Sequence, residues 1–181
     1  MPVSIWLPIA VLGAVTLALV VRTWWKWRGD RVVQCPENHR PAGVVVAAGR
    51  AALNPFQAPS LSSCSRWPEH ANCGQECLTQ VHMAPGDCLV RNILLGWYAG
   101  KQCACCGKPF ESISAVGAMP AVLCADRKSV EWGEIPAERL QETLEAAKPI
   151  CFACHMGNTL VRQHPELVVD RHRMAERSGR P

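Results

Sequence analysis

The sequence predicts an α+β protein: one N-terminal transmembrane helix, then a small metal-stabilised domain with short β-hairpins and three or four helices. Three observations predict it. Residues Ile5 to Val21 (IWLPIAVLGAVTLALVV) carry no charge. All eleven cysteines of the 181-residue chain lie beyond that run. Between them, short β-branched runs broken by Pro, Gly and Asn alternate with amphipathic stretches. The chain divides on this reading into an anchor (1–29), a cysteine-rich metal-binding domain (30–165) and a polar tail (166–181).

The anchor comes first. Its uncharged run gives roughly 26 Å of helix, close to the thickness of a hydrocarbon core. A signal peptide wants basic residues before the apolar run and a small-residue cleavage site after it, and both are missing. Positive charge follows the run at Arg22, Lys26, Arg28 and Arg31, with Trp24, Trp25 and Trp27 as an interfacial belt. The positive-inside rule then puts a single-pass protein in the cytoplasmic (inner) membrane, N-terminus outside and domain cytoplasmic. Net charge is only +4 and partly comes from these flanking residues, so no nucleic-acid partner is implied.

Beyond the anchor, Val32 to Ala48 reads as a hairpin with Cys35 at its mouth, and Asn54 to Ser63 as a loop. Asn72 and Gln75 resemble a capping box, which places Cys73 in the first turn of a helix and Cys77 one turn on, on the same face. Asp87 caps a helix through Tyr98 with Leu89, Ile93 and Trp97 on one stripe and Gly100 as its stop. Short strands are expected around Ile113, Val116, Met119-Pro120, Val122-Leu123 and Val130–Trp132, with Cys124 among them. A last helix runs from Pro136 to Lys148, with Ala137, Leu140, Leu144 and Ala147 at helical spacing and Pro149 ending it. Large rings outside the anchor are limited to Trp67, Trp97, Trp132, Tyr98, Phe56, Phe110 and Phe152. So thin an apolar core needs cross-links.

The cysteines supply them. Cys103-Ala104-Cys105-Cys106-Gly107 contains a C-x-x-C followed by a glycine that tolerates the positive φ of a metal-binding knuckle. Cys151-Phe152-Ala153-Cys154 repeats the spacing more than forty residues later, so the two pairs converge on one tetrahedral Zn²⁺ only if a small subdomain lies between them. Cys35, Cys64, Cys73 and Cys77 form a second candidate Cys₄ set, which reads equally as buried free thiols. His70 lies between those cysteines and is able to replace one; His39, His82, His164 and His172 read as surface or turn residues. Cys105 is in excess of the first set, either redox-active or an inert spare.

C-x-x-C-H is also the attachment form of c-type haem, with Cys151 and Cys154 as thioethers, His155 as iron ligand and Met156 or Met174 as the distal ligand. That alternative is a membrane-anchored monohaem electron carrier, and it sits poorly with a cytoplasmic domain and nine other thiols. From Cys35-Pro36 through CSRWPE, CGQECL, CxxCGKPF and CFACH to HPELVVDR, the chain resembles a bacterial family of membrane-anchored cysteine-rich proteins. Its C-x-x-C knuckles are similar to those of zinc ribbons in general. The resemblance implies metal binding and supplies no catalytic residue. No phosphate loop, H-E-x-x-H or G-x-S-x-G elbow is present in the sequence. The expected function is a non-enzymatic, zinc-binding accessory or protein-interaction module at the membrane, with no small-molecule substrate. A soft-metal or thiol-redox protein using Cys64, Cys73, Cys77 and Cys105 is the other alternative.

Overall fold

A computed structural model describes residues 3–67, 69–70, 73–110 and 121–167. Its first element is a helix, α1 (Val3–Trp27), with Pro8 inside it. The 21-residue Leu7–Trp27 segment contains an 18-residue window with a mean hydropathy of 1.8, and is long and apolar enough to cross a membrane. Leu7, Leu12, Leu17 and Leu19 are exposed along it, as suits a lipid-facing surface rather than a protein core. The chain falls into two compact units, one built on residues up to Gly96, α1 included, with Pro136–Gln141, the other on Trp97–Ile135 and the rest.

The first unit carries an antiparallel sheet in the order β1 (Asp30–Gln34), β2 (Pro41–Val46), β3 (Leu61–Cys64). Period-two patterning builds its core: Val33 on β1 and Ala42, Val44 and Val46 on β2 point inward, joined by Leu61, Cys77 and Val81. Fully buried valines contribute about 1.5–3 kcal/mol each, so this core has support that does not depend on cysteine chemistry. Helices α2 (Ala48–Leu53) and α3 (Leu78–Met83) complete it, followed by the start of α4 (Val90–Tyr98). The expected hairpin is β1–β2. The segment read as loop ends in strand β3, because Leu61 and Ser63 pair with Val46 and Val45. Helix α2, unanticipated, follows from the alanine-rich run after β2.

Two flank residues depart from the expected membrane belt. Trp27 is buried in the core against the His82 ring (5.1 Å), whereas Trp24 and Trp25 are exposed. Arg31 is 1% exposed; its guanidinium donates to the carbonyls of Lys26 (2.7 Å) and Pro85. It therefore satisfies an end carbonyl of α1 instead of standing free as a surface charge. The helix expected from Asp87 begins at Val90, because Val32 N–H donates to Cys88 O (2.8 Å) and Leu89 bridges to Arg31. The buried stripe shifts accordingly from Leu89, Ile93 and Trp97 to Val90, Leu94 and Tyr98.

The second unit has a smaller antiparallel sheet in the order β5 (Ser129–Glu131), β4 (Ala121–Leu123), β6 (Lys148–Ile150). These are short strands of the kind expected; Ile113, Val116, Met119 and Pro120 lie outside the described residues. The helix expected over 136–148 is a 3₁₀ turn (Ala137–Arg139) and then α5 (Leu140–Ala146). Lys148 and Pro149 belong to edge strand β6, where a proline costs no ladder bond. Helix α6 (Phe152–Gln163) follows β6, a 3₁₀ turn (Pro165–Leu167) reaches into the start of the expected polar tail at residue 166, and the rest of that tail lies outside the described residues. Five α-helices follow α1 among the described residues, more than the three or four expected.

Candidate metal centre

The first C-x-x-C forms a knuckle in the second unit. Gln102 and Pro109 bridge, Cys103 N–H donates to Lys108 O (2.9 Å), and Gly107 N–H returns to Cys103 O (2.9 Å). Closing so tight a loop requires the left-handed φ of +70° that Gly107 adopts. Lys101, on the way in, lies over the Trp97 ring (3.7 Å), and Phe110 packs on Tyr98 at 5.0 Å. The Tyr98 hydroxyl is buried and donates to Ala121 O (2.8 Å), which fixes the knuckle's stem against β4.

The second C-x-x-C lies where β6 turns into α6. Cys151 has the extended backbone of a helix N-cap (φ −75°, ψ 159°), its carbonyl accepts His155 N–H (2.9 Å), and Cys154 falls in the first helical turn. Strand β6 brings the pairs together: Ala104 N–H donates to Pro149 O (2.8 Å), and Cys151 N–H donates to Cys103 Sγ (3.2 Å). The sulfurs of Cys103, Cys106, Cys151 and Cys154 all lie within 4.8 Å of one another. The subdomain required between the two pairs is the β4–β5 hairpin with α5.

Cys106 Sγ and Cys151 Sγ are 3.7 Å apart. A disulfide would need about 2.05 Å, whereas the edge of a tetrahedron with ~2.3 Å zinc–sulfur bonds is about 3.8 Å. The donor set fits a tetrahedral metal ion, with this pair at such an edge and the other sulfurs within 4.8 Å. Burial pushes the Cys103 thiol up, but the backbone N–H groups of Cys106, Cys151 and Cys105 outweigh it and bring it down to about 6. Hydrogen bonding to Cys151, then burial, then Cys106 and Cys103 push the Cys154 thiol far up. Cys103 is thus prepared as a thiolate, and a cation is needed to hold Cys154 ionised beside it.

Cys105 is exposed beside this group. Desolvation first, then the charges of Cys103, Cys106 and Cys151, raise its thiol, so it is a poor thiolate nucleophile. His155 is buried, with Nδ1 2.9 Å from Ser129 Oγ and Nε2 3.6 Å from Glu131 Oε1. Nδ1 is therefore hydrogen-bonded on the β5 side with Nε2 facing the Glu131 carboxylate, and both thiols of the C-x-x-C-H belong to the four-sulfur group, which favours a metal over haem. Met156 is half exposed on α6, and Met174 lies outside the described residues. The Ser129–His155–Glu131 contact was missed from sequence. Its one signal was strand alternation, which puts residues 129 and 131 on one face.

The second cysteine set is placed by the first unit. Strands β1 and β3 run the same way on either side of β2, with Cys64 closing β3 opposite Val44 and Cys35 following β1 beyond the Gln34–Pro41 pair. Cys73 and Cys77 do not share a helix face: Gln75 takes a left-handed φ of +58° and α3 starts only at Leu78. Instead Gln75 turns back, its side-chain carbonyl accepting Leu61 N–H (3.0 Å). Asn72, the other half of the expected capping box, is outside the described residues. Cys35, Cys64, Cys73 and Cys77 nevertheless line one cavity of about 20 Å³, with Arg66, Trp67 and His70 at its wall. Among the described residues only the first set has all its sulfurs within 4.8 Å.

No family model, no curated protein and no solved structure matches this chain.

Proposed function

We propose that this protein is a membrane-anchored, zinc-binding accessory or protein-interaction module without catalytic activity. The observation that carries the reading is the convergence of Cys103, Cys106, Cys151 and Cys154. Zinc suits it because four thiolates at tetrahedral spacing make a closed site with no position left for substrate or water. The metal's work is structural. The cysteine-lined cluster of the second unit otherwise consists of Ala121 and Ile150 with Phe110 and Leu123 against them, a small apolar core to hold a knuckle in place. Helix α1 supplies the anchor, and the basic residues Arg22, Lys26 and Arg28 at its C-terminal end orient the soluble part towards the cytoplasm.

The test is elemental analysis of the full chain purified in detergent, beside Cys106→Ser and Cys154→Ser. Each variant should lose about one equivalent of zinc, since a tetrahedral site rarely survives removal of a thiolate. Full retention by both would overturn the site. Fusions after Pro181 test the orientation: a fluorescent protein should fluoresce there and alkaline phosphatase should be inactive. Cross-linking in native membranes, with recovery of a stoichiometric protein partner, tests the accessory role.

A further inference from the structure

We infer that Cys35, Cys64, Cys73 and Cys77 form a second metal centre, in the first unit, that takes a soft divalent ion such as Zn²⁺. The four come from three separate segments, the end of β1, the end of β3 and the loop before α3. Those segments converge on a single cavity of about 20 Å³, the volume of roughly one small probe sphere.

The sulfurs are also provided with donors. Arg66 Nη1 donates to Cys35 Sγ at 3.1 Å, and the Gln75 backbone N–H donates to Cys73 Sγ at 3.4 Å. The second repeats the device that ties Cys151 N–H to Cys103 Sγ in the other unit. Thiols that merely fill an apolar core need neither. Four thiolates around a divalent cation leave a net charge of about −2, and the guanidinium of Arg66 offsets part of it. Gly74 and the left-handed Gln75 give the Cys73–Cys77 segment a turn in place of the helix its sequence favours. A turn brings two sulfurs inward together, as the knuckle at Cys103 does. The set is wider than the first one, so the sulfurs draw in when an ion binds.

The experiment is metal stoichiometry on the full chain, purified in detergent under reducing conditions with Zn²⁺ and, separately, with Co²⁺ supplied. Wild type should hold about two equivalents; Cys64→Ser and Cys73→Ser should each hold about one and keep the cobalt–thiolate bands of the remaining site. Cys64→His should retain both ions with an altered cobalt spectrum, which separates loss of a ligand from loss of fold. If wild type holds one equivalent, and that one vanishes in Cys106→Ser, the inference is overturned while the first centre stands. The inference also falls if Cys64→Ser and Cys73→Ser both keep two, or if alkylation with mass mapping finds disulfides within this set. If loss follows Cys64→Ser but not Cys106→Ser, the first centre is wrong and this one stands.

Discussion

The backbone N–H of Cys151 donates to the sulfur of Cys103 at 3.2 Å, so the last residue before α6 already holds the first knuckle. The bond joins residues 48 apart in sequence, and Ala104 N–H to Pro149 O repeats the tie one residue away. These two hydrogen bonds, one to a thiol and one between backbone groups, work against the closure entropy of a long loop, and a metal ion held by the same four sulfurs would add to them.

Metal is therefore expected to be folding energy for the second unit. Structural zinc contributes about 10 kcal/mol or more of apparent free energy in small peptides, comparable with the whole stability of an ordinary domain. Stripping the full chain with a strong chelator, or replacing Cys106 or Cys154 by Ser, should abolish amide protection from Trp97 to Phe110, from Ala121 to Ile135 and from Glu142 to Gln163. The valine core around β2 should keep its own. Cys88→Ser should be mild, because Cys88 is half-buried and its thiol donates no closer than 3.9 Å, to Gln80 O. Hydrogen exchange reads all of this, and unchanged protection after stripping would refute it.

The first centre was legible in the sequence because its signals are local: two C-x-x-C pairs and Gly107 after Cys106. What the intervening residues had to do, hold the pairs together, was also readable, but not how. Cys73 and Cys77 were misplaced on a helix because the pull on Gln75 comes from Leu61 N–H, which belongs to a strand that itself read as loop. Arg31 read as a membrane flank because its partner, Pro85 O, lies 54 residues away. Both errors have one cause. Tertiary hydrogen bonds outweighed local propensity.

Gly43 and Gly49 should respond oppositely to alanine. On β2, a Cβ at Gly43 would stand 2.9 Å from Ala137 Cβ and 3.0 Å from Glu138 Oε2, closer than real side chains approach. Gly43→Ala should cost about 1–3 kcal/mol, the usual range for overpacking. At Gly49, inside α2, nothing lies within 4 Å. Gly49→Ala should stabilise by roughly 0.4–1 kcal/mol by lowering the entropy of the unfolded chain. Denaturant midpoints of the two variants decide it, and equal shifts of one sign would contradict the packing described.

Cys77 should make the metal-stripped first unit sensitive to base. Burial, followed by the charges of Cys73, Cys64 and Cys35, pushes its thiol up to about 11 from an ordinary 9.0. A folded-state value above the unfolded one means the unfolded chain gives up its proton first. The contribution is thus fully present below about pH 9 and is lost as pH rises towards 11. The thermal midpoint of the stripped chain should fall across that window, and Cys77→Ala should flatten the slope. An identical slope in the variant would assign the base sensitivity elsewhere.

Arg31 should be the residue on which the junction between α1 and the first unit depends. Its guanidinium donates to two backbone carbonyls, Lys26 O and Pro85 O, beneath the Trp27 ring (5.9 Å to the centroid), while Nε has no hydrogen-bond partner among the described residues. Desolvation lowers its pKa, so the buried charge is tolerated only for the bonds it makes. Arg31→Met keeps most of the side chain's length but removes both donors. Two carbonyls then lose their bonds, one of them at the end of α1, at about 1–3 kcal/mol each where water cannot reach. Part of that is recovered because no charge remains to be desolvated. A net loss of about 1–4 kcal/mol is expected, a fall in thermal midpoint of several degrees for a unit of this size. Arg31→Lys should recover little, since one ammonium cannot span both carbonyls as the guanidinium fork does. If Arg31→Met unfolds at the wild-type midpoint, the clamp is not holding the junction, and the packing of Trp27 alone must fix the end of α1.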